Sequence, residues 1–166
     1  MIYSLVNRML CQSLGLIAVV AVGTSVTIST IEAAEFVQVI HGPEADPLEK
    51  LAASELADIL DRVFDDVEIR SGHVVARRAG TILFVGNPDT NPGIARNNFE
   101  WPNVTEQGIA IVSKSEQKLH GVGGGSPAAT LWSVYELGHR LGVRYLLRGD
   151  IDPLNKRPAD LSDIEF

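Results

Sequence analysis

Residues 118–150, KLHGVGGGSPAATLWSVYELGHRLGVRYLLRGD, read as strand, glycine-rich turn, capped helix, glycine stop and second strand. A strand that feeds a helix through glycines needs that helix to fold back on a sheet, so the stretch calls for a layered helix-and-sheet domain. Ser126 has the character of an N-cap. Pro127 suits the first helical position, where a missing N–H costs no intrahelical bond. Leu131, Trp132, Tyr135 and Leu141 are expected to form the apolar face, with Gly138 allowing close approach. Gly142 is the expected left-handed stop. Residues 143–147 then form a last strand.

A second helix is announced upstream. Asp46 caps it, Pro47 takes its first position and Glu49 completes a capping box. Leu48, Leu51, Ala52, Leu56, Ile59, Leu60 and Val63 recur at three- and four-residue steps, which makes one apolar stripe. Strands are expected at residues 35–40 (EFVQVI), 67–70, 81–85 (TILFV), 108–113 and 118–122. The continuous apolar run at 81–85, set between Gly80 and Gly86, suits a central strand. Residues 114–117 form a polar turn of hairpin length, and 87–102 a long Asn- and Pro-rich loop with one helical turn at 92–96. The expected fold class is α+β, an α/β sandwich in the order β-α-β-β-β-β-α-β. Its sheet is expected to be mixed and largely antiparallel, of about five or six strands, with two helices on one face.

The first 34 residues stand apart. Arg8 precedes an apolar run at 14–22 and a small, polar exit, the pattern of a secretory signal peptide; the run is shorter than the roughly 20 residues of a membrane span. The expected organisation is a signal peptide at 1–34, an α/β domain at 35–150 and a connector at 151–166, in an exported protein. The single cysteine, Cys11, falls in the leader, so thiol catalysis, cysteine metal sites and disulfides are not expected of the exported part. The formal charge of −7, from 14 Lys and Arg against 21 Asp and Glu, disfavours nucleic acid and anionic membrane as partners.

Candidate chemistry is sparse. The run Gly121-Val-Gly-Gly-Gly-Ser-Pro fits a loose dinucleotide fingerprint with Asp150 downstream. Pro127, however, removes a donor that would face a phosphate, and no further strand–helix units follow. Close strand–helix packing explains the glycines better. Glu136 and His139 make a single Glu-x-x-His where helical di-metal sites use two. His41, His73 and His120 lie in separate segments and are expected to be solvent or loop histidines. No nucleophile elbow occurs. Trp132 and Tyr135 are expected in the core, which leaves Trp101, in a loop, as the candidate carbohydrate-binding residue. No catalytic residue, metal or cofactor is assigned.

Several of these motifs together resemble the N-terminal α/β domain of secreted glycoside hydrolases. The nearest groups are the family 67 α-glucuronidases and the equivalent second domain of β-N-acetylhexosaminidases. The resemblance rests on the helix AASELADIL, the turn Val85-Gly86-Asn87-Pro88, Trp132, Tyr135 and the run Leu141-Gly142-Val143-Arg144-Tyr145. It covers about residues 35–150. An arginine often found before the second helix in that family is replaced here by Ser126-Pro127. The resemblance implies a non-catalytic accessory domain of a polysaccharide-degrading enzyme. Its partner would be a catalytic (β/α) barrel, absent from this chain, since a barrel takes roughly 200 residues or more. Polysaccharide is a further expected ligand. A free-standing carbohydrate-binding or interaction module is the alternative, and a dinucleotide-binding domain a weaker one.

Overall fold

The computed structural model describes residues 35–65, 67–76 and 80–158; the expected leader and the end of the expected connector lie outside them. The elements are β1 (Glu35–His41), α1 (Pro47–Val63), β2 (Phe64–Asp65), β3 (Val67–Gly72), β4 (Thr81–Val85), α2 (Pro92–Arg96), β5 (Ile109–Lys114), β6 (Leu119–Gly124), α3 (Pro127–Arg140) and β7 (Arg157–Pro158). The class is α+β, with a mixed five-stranded sheet in the order β3-β1-β4-β6-β5 and a small β2-β7 pair.

Both long helices begin as their residues dictate. The Asp46 carboxylate accepts from the Leu48 N–H at 2.8 Å, and the Glu49 carboxylate accepts from the Asp46 N–H at 3.1 Å, a complete capping box. Ser126 Oγ accepts from the Ala129 N–H at 3.2 Å. At the far end of α3, Gly142 sits at φ 104°, where a glycine ends a helix without strain.

One expectation about the sheet is corrected. β1 pairs in parallel with β3 and β4, and β4 pairs in parallel with β6. Only the β5-β6 hairpin is antiparallel, so the sheet is mixed but not largely antiparallel. The reason lies in the link from β3 to β4. Residues 72–79 suit a hairpin or a loop, yet β1 lies between the two strands, and the link crosses from one side of β1 to the other. Its described residues are anchored on β1. The Ala76 N–H donates to Gln38 Oε1 at 2.6 Å, and Gly80 lies so close to the Phe36 carbonyl that a Cβ there would overlap it. Parallel strands in one sheet usually need a dozen or more residues of connection, and eight join β3 to β4 here.

α1 and α3 share one face, as expected. Leu56, Ile59 and Leu60 of α1 and Val134 and Leu137 of α3 meet Val37, Val39, Leu83, Val85 and Val122 of the sheet in the main core. Each fully buried aliphatic side chain contributes about 1.5–3 kcal/mol relative to exposure. The other face is smaller. Ile40 and Phe84 are covered there by Ile94 of α2 and by Phe99 and Trp101 of the loop that follows.

The expected last strand is also corrected. Val143 is buried in the core, but residues 144–147 leave the sheet, and Arg144 forms only an isolated antiparallel bridge with Ile151. Arg62 holds this turn to α1 through Asp150 at 3.5 Å and Asp152 at 3.2 Å. Residues 151–158 return to the domain, with Lys156 Nζ donating to the Asp61 carbonyl at 2.9 Å and β7 pairing with β2. No helix among the described residues is long and apolar enough to cross a membrane.

Candidate functional site

The strand order changes direction between β1 and β4, because β1 leads outward to β3 while β4 leads the other way to β6. Parallel sheets open a crevice beyond their carboxyl ends at such a point, where ligands commonly bind. In this protein residues 86–91 fill it. Asn91 Nδ2 donates both to the Ile40 carbonyl at 2.9 Å and to the Val85 carbonyl at 2.8 Å, tying the ends of β1 and β4 together. Thr90 Oγ1 donates to Glu49 Oε1 at 2.7 Å and accepts from the Asn87 N–H at 3.1 Å. Glu49 is the one fully buried carboxylate among the described residues, and both its oxygens are engaged within the fold. It latches the start of α1 to the 86–91 loop and has no oxygen aimed at a substrate.

The glycine run lies next to this loop. A Cβ on Gly123 would overlap the Gly86 carbonyl, and one on Gly125 would overlap the Thr105 carbonyl. At Gly124 it would fall 2.6 Å from the Gly108 carbonyl. The Gly125 N–H donates to the Gly108 carbonyl at 3.0 Å. Gly124 makes the expected close approach of strand to helix, at Ala129 of α3, whereas Gly123 and Gly125 let loop backbone lie on backbone instead.

The two tryptophans differ in exposure. Trp132, expected in the core, is 49% exposed. The buried side of α3 is formed by Ala129, Thr130, Ser133, Val134 and Leu137, and Trp132 points to water beside it. Two residues are more than half a helical turn, so Trp132 cannot share the face of both Thr130 and Val134. Trp101, the candidate carbohydrate contact, is half-buried on the second face, with its ring edge 3.0 Å from where a Gly121 Cβ would stand. Tyr135 is half-buried, as its place beside the core suggests.

The histidines divide differently from expectation as well. His41 and His73 lie near the carboxyl ends of β1 and β3 with ring centroids 6.0 Å apart. His120 is neither a loop nor a solvent residue. It is fully buried on β6, with Nδ1 2.6 Å from Ser113 Oγ on β5. Burial lowers its pKa from 6.5 to about 4, so the ring is neutral near pH 7. The hairpin is legible in the sequence, but the register that sets Ser113 opposite His120 is not.

A group that sequence reasoning missed lies where α1, α3 and the 144–152 turn meet. Tyr135 and Tyr145 pack edge to face at 5.1 Å, and the Tyr145 hydroxyl fills the space beside Gly138. Burial, assisted by Glu55 and Asp150, raises the Tyr135 phenol. Burial pushes Tyr145 up to about 12 against the opposing influence of Arg62. Phenols so raised stay protonated at neutral pH and are poor bases. Elsewhere on α3, Glu136 is held by Arg140 Nε at 2.8 Å. Among the described residues no three His, Cys, Asp or Glu side chains are grouped to hold a metal ion.

Exposed apolar side chains form the other feature of this region. Leu146, Leu147, Ile151 and Leu154 all face water, Leu147 and Leu154 completely. Leu48 and Leu51 on α1 and Trp132 on α3 are also exposed. Leu51 lies one turn before Glu55 and Leu131 one turn before Tyr135. No protein-family model matches this chain, and no curated protein matches it.

Proposed function

We propose that this protein is an accessory domain of an exported glycoside hydrolase acting on polysaccharide, and that it carries no catalytic site of its own. The observation that carries this reading is the group Leu146, Leu147, Ile151 and Leu154, apolar side chains held in water by a turn that is itself fixed to α1. Four exposed apolar side chains within one short turn are the feature of this fold that a docking partner would cover. The surface would orient a catalytic partner, such as the barrel that the resemblance implies. The buried carboxylate of Glu49, the neutral His120 and the raised phenols fit a supporting role, since each is engaged in holding the fold.

A photo-reactive residue at Leu147 or Leu154, introduced in the native host, tests the reading. The expected product is a covalent adduct with a carbohydrate-processing enzyme, identified by peptide mass spectrometry. No adduct, or adducts only with unrelated proteins, would remove the basis for it.

The exposed indole of Trp132 favours a second reading, a free-standing carbohydrate-binding module, because exposed aromatic rings stack on sugar faces. Titration with xylo- and chito-oligosaccharides, followed by tryptophan fluorescence in the parent, Trp101→Ala and Trp132→Ala proteins, decides it. Unchanged fluorescence at millimolar sugar would dismiss it.

A further inference from the structure

β1 and β3 run side by side in parallel, and the last pair in their register is Ile40 with Gly72. The next residue on each strand is a histidine, His41 and His73. Neighbouring strands lie about 4.8 Å apart, so the register itself brings these two side chains together at the carboxyl end of the sheet. Their ring centroids are 6.0 Å apart and the rings are tilted by 37°. His41 is half-buried and His73 is exposed. The pair is therefore anchored on one side and open to water on the other.

The His41 ring is held in one orientation. Its Nδ1 lies 2.7 Å from the Gly42 carbonyl oxygen. A carbonyl can only accept, so Nδ1 carries the hydrogen, and in the neutral ring Nε2 keeps the free lone pair. The carbonyl is fixed in turn. It also accepts from the Ala45 N–H at 3.2 Å, and Gly42 lies so close to the Thr90 carbonyl that a Cβ there would overlap it. Histidines that bind metals characteristically donate their other ring N–H to a carbonyl or carboxylate, which fixes the tautomer and makes the ligating nitrogen more basic. His41 has that arrangement from its own backbone.

The separation of the rings suits one shared cation. Imidazole nitrogens bind transition metals at about 2.0–2.1 Å, so two rings on one metal must have centroids within about 6.5 Å of each other. The choice of metal follows from the donors. Calcium and magnesium need oxygen ligands, and the described residues group no third His, Cys, Asp or Glu with this pair. Two imidazoles, with water in the other positions, suit copper(II), nickel(II) and zinc, and copper(II) binds such donors most tightly of the three. The formal charge of −7 favours a cation over an anion at this place.

We infer that His41 and His73 form a two-histidine site for a divalent late transition metal, with copper(II) preferred, across the ends of β1 and β3. His41 is the preset ligand and His73 the one that closes on the metal. The inference is independent of the proposed accessory role, which rests on the turn at 144–154.

Copper(II) titration of the purified protein tests it, without an affinity tag and with Cys11→Ser to remove the leader thiol. One copper ion is expected per chain, with an electron paramagnetic resonance spectrum showing two nitrogen donors. Loss of either ring turns a chelate into a single contact. His41→Ala and His73→Ala are each expected to weaken binding by about tenfold or more, while His139→Ala, on α3, leaves it unchanged. Circular dichroism should show every variant folded. In nuclear magnetic resonance of the metal-free protein, His41 should carry its hydrogen on Nδ1, and substoichiometric copper should broaden the His41 and His73 ring signals first. The inference is overturned by a His41→Ala/His73→Ala protein that binds copper as tightly as the parent. A spectrum with fewer than two nitrogen donors, or first broadening at other histidines, overturns it as well.

Discussion

At Gly123 the backbone of β6 lies against the Gly86 carbonyl with no room for a methyl group. Because both partners are main chain, neither can rotate away. Gly123→Ala is expected to cost about 3 kcal/mol or more, measured by urea unfolding, whereas Gly72→Ala, with open space around it, should cost little. His120 gives a pH-dependent counterpart. Its folded pKa, about 4, lies below the ordinary 6.5, so the unfolded chain takes up the proton first as the pH falls. The stability linked to this group is complete above about pH 6.5 and is lost as the pH falls toward 4, by up to about 3 kcal/mol. Unfolding curves at several pH values, compared with His120→Gln, should show that component vanish in the variant. Equal pH dependence in both proteins would refute the assignment.

At the scale of elements, what could be read in the sequence was what is decided locally. Asp46, Pro47 and Glu49 specify the start of α1 by themselves, and Ser126, Pro127 and Gly142 bound α3 in the same way. The apolar run at 81–85 identifies β4. Partners across the sheet were not legible, because nothing within residues 67–85 states that β1 lies between β3 and β4. The run Val143-Arg-Tyr-Leu-Leu has strand composition, but Val143 is buried and Tyr145 packs against the core from outside the sheet, while Leu146 and Leu147 face water; the sequence cannot distinguish apolar residues meant for a core from apolar residues left at a surface. The tryptophans illustrate the same limit. Trp101 packs on Gly121 from a loop, while Trp132 leaves a helix that is otherwise apolar toward the sheet. Trp101→Ala is therefore expected to destabilise the fold by about 3 kcal/mol and Trp132→Ala by no more than about 0.5 kcal/mol, both from denaturant midpoints. Reversed costs would mean that the second face is not a core. At the helix start, Ser126→Ala should cost about 1 kcal/mol through loss of its bond to the Ala129 N–H.

For the whole molecule, the distribution of exposed apolar side chains separates structure from recognition. Leu147 and Leu154 are fully exposed, so Leu147→Asp/Leu154→Asp should leave thermal stability within about 0.5 kcal/mol of the parent while reducing photo-adduct yield at neighbouring positions. A large loss of stability would mean that these leucines belong to the fold instead.

The placement of β1 also bears on the order in which the chain can assemble. β1 is the earliest strand of the domain to leave the ribosome, and both of its neighbours, β3 and β4, come later. The link between them fastens to Gln38 and to the backbone at Phe36, both on β1. A sheet of this winding can grow outward from β1 during synthesis, β3 and β4 each finding β1 already present, whereas β5 must wait for β6. In pulse-labelled hydrogen exchange, amides of β1 and β4 should gain protection before those of β5, which joins last at an outer edge. Early protection of the β5-β6 hairpin would indicate assembly from the opposite end.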